Sequence, residues 1–169
     1  MPIKVLNSAG GGTMYDIASG IVWATDNGAQ IINLSLGSVS YSSTLADAVD
    51  YAHDHGVLLV AAGGNCGDSL YYLNGCSYQD QPPYPAALSN VVAVASTTST
   101  NQQSSFSTAN WHIELAAPGS FIYSTYKDNG YAFLDGTSQA APHVAGAAAL
   151  IWANYPGWSN EEVRAQLRN

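Results

Sequence analysis

Charge is scarce in this chain. Four Lys and Arg against twelve Asp and Glu make up 9% of 169 residues and leave a net charge of −8. A surface of that sign repels phosphate backbones, which excludes nucleic acid as a partner. Long apolar runs are also missing. The richest, Val144 to Ala153, contains Gly146 and falls well short of the roughly 18 residues of a membrane span, which excludes membrane insertion. No internal repeat, charge block or linker divides the chain, so residues 1–169 read as a single domain. The N-terminal Met-Pro-Ile-Lys-Val-Leu has neither the apolar stretch nor the cleavage site of a signal peptide. What is present excludes disorder: hydrophobic residues reach 47%, enough for a sizeable core.

Ser, Thr, Asn, Gln, Gly and Tyr carry the polarity that Lys and Glu carry in most cytosolic proteins, a balance that suits an exported protein. Only two cysteines occur, Cys66 and Cys76, on either side of a Gly/Tyr/Asn-rich stretch. A disulfide between them would close a short loop and contribute ~3 kcal/mol through loop entropy. The other reading is two unpaired thiols in a reducing compartment. A zinc site is not expected, because no second Cys pair or nearby His completes four ligands.

Strand and helix patterns alternate. Ile17, Ile21 and Ala24 lie at helical spacing, with Gly28 placed to stop that helix. Ala29 to Leu36 reads as a buried strand, Thr44 to His55 as a helix with Leu45, Ala48, Val49 and Ala52 on one face, and Val57 to Ala62 as a second strand. Val91 to Ala95 is a third strand, and a long helix runs from about Ser138 through Ala153. Ser159 to Glu162 is a capping box that opens the last helix. The alternation predicts an α/β fold, three layers with a mostly parallel sheet flanked by helices. Chemistry in such sheets gathers at the carboxyl ends of strands, here just after Leu36 and Ala62.

Gly136-Thr137-Ser138-Gln139-Ala140-Ala141-Pro142-His143 is the most informative stretch. Ser138 is expected at a helix N-terminus, where free N–H groups and the helix dipole favour developing negative charge. Pro142, tolerated in the first turn, puts the helix start close to Ser138. On position alone an N-cap serine without chemistry explains the same residue.

Three ordered motifs bear on that choice. The stretch from Gly136 to Gly146, the segment Val60-Ala61-Ala62-Gly63-Gly64-Asn65 and the segment Asn33-Leu34-Ser35-Leu36-Gly37 together resemble the subtilisin-like serine proteases (peptidase S8), nearest the thermitase-like branch, from about Ile3 to Leu167. The resemblance implies that Ser138 is the nucleophile and Asn65 the oxyanion donor, with the Ser138 backbone N–H as second donor. It implies a substrate pocket between Ser35-Leu36-Gly37 and Ala62-Gly63-Gly64, with Ala9 and Gly10-Gly11-Gly12 along the other edge. Polypeptides would be the substrates, pairing as an added strand. A cis peptide bond is implied at Tyr84-Pro85. No cofactor is required for such chemistry; structural calcium occurs in the family, but no calcium ligand is assignable here.

The family's Asp-Ser/Thr-Gly and His-Gly-Thr-His motifs occur nowhere in these 169 residues. The chain therefore reads as the C-terminal part of a catalytic domain, N-terminally incomplete, inactive alone and partnered by the missing N-terminal part. Its targeting segment would lie outside these residues, and its location would be extracellular. None of the four histidines reads as a general base: His53 and His55 belong to a solvated helix end, His112 to a loop, and His143 to the nucleophile helix, where the family's residue packs. Gln139 replaces the Met usual after the nucleophile, which predicts resistance to peroxide. The segment from Cys66 to Pro83 is longer than in close relatives, so side-chain preference does not transfer. An α/β-hydrolase esterase is disfavoured, because Ala140 breaks Gly-x-Ser-x-Gly and no His follows His143. A non-catalytic remnant acting as a binding or structural module remains the alternative.

Overall fold

Four strands run parallel in the order in which they occur: β1 (Ile31–Leu34), β2 (Leu58–Ala62), β3 (Val91–Thr97) and β4 (Leu115–Pro118). This computed structural model describes residues 1–68 and 70–169, with the backbone alone at 71 and 72. Strands β2 and β3 are apolar throughout because both faces are covered, as parallel sheets require. Their side chains alternate strictly. Leu59, Ala61, Val91 and Ala93 enter one core with helices α1 (Met14–Asp26) and α2 (Ser43–Asp54). Leu58, Val60, Val92 and Val94 enter the other with α3 (Thr137–Asn154) and α4 (Asn160–Leu167). The result is the expected three-layer α/β arrangement.

The helix boundaries follow local chemistry. Thr13 caps α1 by accepting from Asp16 N–H at 3.0 Å, and Ser159 with Glu162 forms the expected capping box on α4. The first strand is shorter than its apolar pattern predicts: only Ile31–Leu34 pair with β2, while Ser35–Leu36 turn toward the sheet's carboxyl end. Strand β4 and the antiparallel hairpin β5 (Ile122–Tyr126)–β6 (Gly130–Leu134) were not legible from periodicity. The hairpin is mostly exposed, with Phe121, Tyr123, Tyr131 and Phe133 at 70%, 60%, 63% and 52%, so no in/out alternation marks it.

Pro142 corrects an expectation. It lies not in the first turn of α3 but at its sixth residue, where its missing N–H leaves the Ser138 carbonyl without an intrahelical donor. The Ser35 hydroxyl replaces that donor, at 2.7 Å.

Strands β1 and β4 are the two edges of the sheet. β1 pairs only with β2, and on its far side a cavity of about 530 Å³ separates it from residues 2–5, with Ile3, Val5, Ile17, Ile21, Ile31 and Leu34 among its walls. Helix α3 exposes apolar residues as well, Leu150 at 76%. No helix among the described residues is long and apolar enough to cross a membrane.

On the opposite edge Arg164 of α4 reaches down to the sheet. Its guanidinium donates to Glu114 at 2.6 and 3.0 Å and to the Val91 carbonyl at 3.3 Å, while Arg168 donates to Glu114 at 2.8 Å. Burial alone would raise the Glu114 carboxyl, but the hydrogen bonds and charges of the two arginines outweigh it and hold it below the usual range. A carboxyl held low by folding adds stability above its ordinary value and loses it as pH falls through the folded value. Unfolding stability is therefore expected to drop on acidification below the ordinary 4.5. Glu114→Gln should flatten that limb of the profile and cost about 3 kcal/mol at neutral pH, as read from denaturant unfolding.

Candidate active site

The carboxyl ends of β1 and β2 open at the same end of the sheet, and the N-terminus of α3 arrives there from the other side of the strands. After Leu34 the chain runs through Ser35, Leu36 and Gly37; after Ala62 it runs through Gly63, Gly64 and Asn65. These segments and the start of α3 border a cleft of about 430 Å³ whose lining includes Leu36, Gly37, Ala62, Gly64, Asn65 and Ser138. Among the described residues none that lines it is ionisable, both cysteines being in a disulfide.

Gly136 turns β6 into α3 with φ +154, a backbone that side chains rarely adopt, and a Cβ there would meet the Gln139 Oε1 at 2.7 Å. Gly64 sits at φ +104, with the Pro83 ring 3.0 Å from where a Cβ would stand. Both turns require glycine. They bring Asn65 against the first turn of α3, although 72 residues separate Asn65 from Thr137. The Asn65 Oδ1 accepts from the Thr137 N–H and from the Thr137 hydroxyl, both at 3.0 Å. The amide nitrogen makes no hydrogen bond among the described residues and lies 3.5 Å from where a Cβ on Gly136 would stand. The Thr137 hydroxyl also accepts from Gly64 N–H at 3.1 Å, so a single side chain ties both strands of this corner together.

Ser138 is half-buried beside this corner. Its hydroxyl donates to the Ser35 carbonyl at 3.2 Å. No histidine is bonded to it. His53 meets Glu161 at 3.1 Å, and His55 meets the Tyr51 carbonyl at 2.7 Å. The His112 ring stacks on Trp111 at 3.5 Å, and burial pushes its pKa down. His143 meets the Gln139 carbonyl of its own helix at 2.8 Å. The family resemblance implies a packed residue at His143; here it is exposed, on the rim of a second cleft of about 390 Å³ between α3 and the hairpin.

The two cysteines form a disulfide, Cys66–Cys76, and Cys66, Asn74, Gly75, Cys76 and Pro83 form the outer wall of the Ser138 cleft. The Tyr84–Pro85 bond is cis, as the resemblance implies. Gly10, Gly11 and Gly12 are not brought into this cleft. They form an exposed turn closed by Asn7 N–H to the Gly11 carbonyl at 2.8 Å, just before α1. Among the described residues no group of three or more His, Cys, Asp and Glu side chains is gathered, so no calcium ligand is assigned.

Two contributors were missed from sequence. Thr108, 42 residues from Cys66, accepts from its N–H at 3.0 Å, and Asn74 donates to the Asn65 carbonyl at 2.6 Å. Neither carries a periodicity or a motif. Pro142, by contrast, was a readable signal, since a proline inside a helix obliges some other donor to satisfy the carbonyl four residues earlier. Ser35→Ala is accordingly expected to cost about 1 kcal/mol. In a Pro142→Ala background, where residue 142 regains its N–H, that cost should vanish. Chemical unfolding of the four proteins measures the coupling, and simple additivity would refute it.

The sequence pattern of the subtilase family matches residues 1–169. The chain is 48% identical to subtilisin DY of Bacillus licheniformis over 165 residues, covering 98% of this chain and 58% of that protein. It is 44% identical to thermitase of Thermoactinomyces vulgaris, over all of this chain and 56% of that protein. Among solved structures, a cold-adapted subtilisin-like serine proteinase superposes with a TM-score of 0.86 at 36% identity, covering 98% of this chain and 57% of the other. The chain thus spans a little over half the length of each of these three relatives. On the family match over residues 1–169 and these identities, the chain belongs to the subtilase family of subtilisin-like serine endopeptidases.

Proposed function

We propose that these 169 residues form one partial peptidase domain, carrying the nucleophile and the oxyanion-binding half of a secreted serine endopeptidase. The observation that supports this most strongly is the Asn65 side chain, whose oxygen is held by two Thr137 donors at 3.0 Å and whose amide nitrogen is thereby left for a ligand. Ser138 Oγ attacks the scissile carbonyl carbon of a polypeptide and forms an acyl-enzyme. The Asn65 amide and the Ser138 N–H, at the positive end of α3, receive the charge that develops on the carbonyl oxygen. The substrate backbone pairs with Ser35-Leu36-Gly37 and with Ala62-Gly63-Gly64.

The proton from Ser138 requires a base, and the acid and base of the triad belong to polypeptide outside these residues. Two features favour that reading: the 530 Å³ cavity beside the unpaired edge of β1, and the bare apolar face of α3. The disulfide favours an oxidising, extracellular setting. No cofactor takes part in these steps. A second reading, a non-catalytic binding module, draws support from the Ser138 hydroxyl, which donates to the Ser35 carbonyl instead of to an imidazole.

A fluorophosphonate with intact-mass readout separates the two. The chain alone is expected to take up no label, whereas a longer polypeptide that includes the upstream acid and base should be labelled stoichiometrically on Ser138. Full labelling of the chain alone would refute its inactivity, and an unlabelled longer polypeptide would refute the catalytic reading. In the active longer form, Asn65→Leu should lower kcat by about 10²–10³-fold, the loss known for removing such a donor in a subtilisin.

A further inference from the structure

We infer that the loop closed by the Cys66–Cys76 disulfide is a positioning element for the Ser138 cleft: it holds Asn65 through Asn74, and peptide recognition depends on the disulfide being intact. The inference rests on the reading of that cleft as the peptide-binding site.

The sequence sets the arrangement. Cys66 directly follows Asn65, so one end of the bridge is a neighbour of the residue proposed to bind the oxyanion. The other end, Cys76, lies two residues beyond Asn74, whose side-chain N–H donates to the Asn65 main-chain carbonyl at 2.6 Å. Asn65 is thus held from two directions, by Thr137 through its side chain and by Asn74 through its backbone. Both cysteines are buried, at 3% and 6% exposure, between this wall and the chain behind it.

The Cys66 end is anchored independently of the bridge. Its N–H donates to Thr108 at 3.0 Å, its carbonyl accepts from Asp80 N–H at 2.7 Å, and Gly67 N–H reaches the Phe106 carbonyl at 2.9 Å. Beyond Cys76 the chain is tied down again at Gln79, which donates to the Gly67 carbonyl at 2.5 Å, and at Asp80, which accepts from Ala109 N–H at 2.7 Å, whereas the stretch before Asn74 is held less. Among the described residues from 68 to 73, the hydrogen bonds are local, Leu70 N–H to Asp68 at 2.9 Å and Leu73 N–H to the Leu70 carbonyl at 2.9 Å. The disulfide, two residues from Asn74, is the tie nearest to the Asn74–Asn65 contact and the one that is covalent. Opening it frees a loop of ten-residue separation, whose reordering on ligand binding then costs conformational entropy. By linkage, a peptide that binds only the closed arrangement also protects the bond from reduction.

The test uses the 169-residue chain and an acetylated tetrapeptide acid ending in leucine, whose side chain is uncharged like the cleft and whose carboxylate can take the oxyanion position. Affinity is measured by titration, together with the NMR signal of the Asn65 side-chain amide, for three proteins: oxidised, reduced, and Asn74→Ala with the disulfide intact. The phosphine used for reduction supplies two electrons; with one water it becomes the phosphine oxide, and the bond becomes two thiols. Affinity is expected to fall about tenfold on reduction and severalfold in Asn74→Ala, with the Asn65 amide signal displaced in both. Equal affinity in all three proteins would overturn the inference and leave the peptide-binding reading standing. Failure of the oxidised chain to bind would remove that reading and the inference with it. Should reduction abolish the far-ultraviolet circular dichroism, Asn74→Ala decides the matter, since its disulfide and fold are retained.

Discussion

The side-chain oxygen of Asn65 joins two parts of the chain that would otherwise have no reason to stay in register. One is the end of β2, a strand buried on both faces. The other is the first turn of α3, a helix packed against every strand of the sheet. Two donors from Thr137 close the junction, at 3.0 Å each, and the Thr137 hydroxyl extends it to Gly64 at 3.1 Å. Each strut is a modest hydrogen bond of about 1 kcal/mol. Their value is geometric: they orient an amide on a scaffold whose core strands have no freedom to shift, and preorganised dipoles are what such a site requires.

The second constraint is Pro142. A proline at the sixth residue of α3 ought to weaken the helix, yet the carbonyl it leaves free is answered by the Ser35 hydroxyl. The irregularity of α3 thus becomes a link between the two walls of the cleft, one on β1 and one on the helix. In return the Ser35 carbonyl accepts from Ser138, so the two serines hold each other across 103 residues of sequence. The same arrangement leaves Ser138 without an imidazole. β1, the strand that leads into Ser35, is an edge of the sheet, with a cavity of about 530 Å³ beside it.

Much of this was legible in the sequence. The apolar runs Val57 to Ala62 and Val91 to Ala95 announced buried strands, their alternation with helices announced a parallel sheet, and the Ser159–Glu162 box announced α4. The family motifs located Ser138 and Asn65, and the spacing of the two cysteines left a disulfide open. Elements without a buried face were silent: the β5–β6 hairpin is largely exposed and shows no period. Hydrogen-bond partners far apart in the chain were equally silent, because Thr108 and Asn74 look like any other polar loop residues until the fold brings them to Cys66 and Asn65. The start of α3 near Ser138 was read correctly, but Pro142 was placed in its first turn, since a rule about proline in helices takes no account of a hydroxyl supplied from another segment.

The central claim is that the Asn65–Thr137 corner, proposed above to bind the oxyanion, is built and rigid in these residues by themselves. Relaxation of the Asn65 side-chain amide, measured by NMR on the isolated chain, addresses it most directly. A single Asn65 rotamer is predicted, with an order parameter close to the rigid-backbone value of about 0.85 that drops when Thr137→Val removes one of its donors. An Asn65 side chain already averaging over rotamers in the unaltered chain, and unaffected by Thr137→Val, would contradict the account.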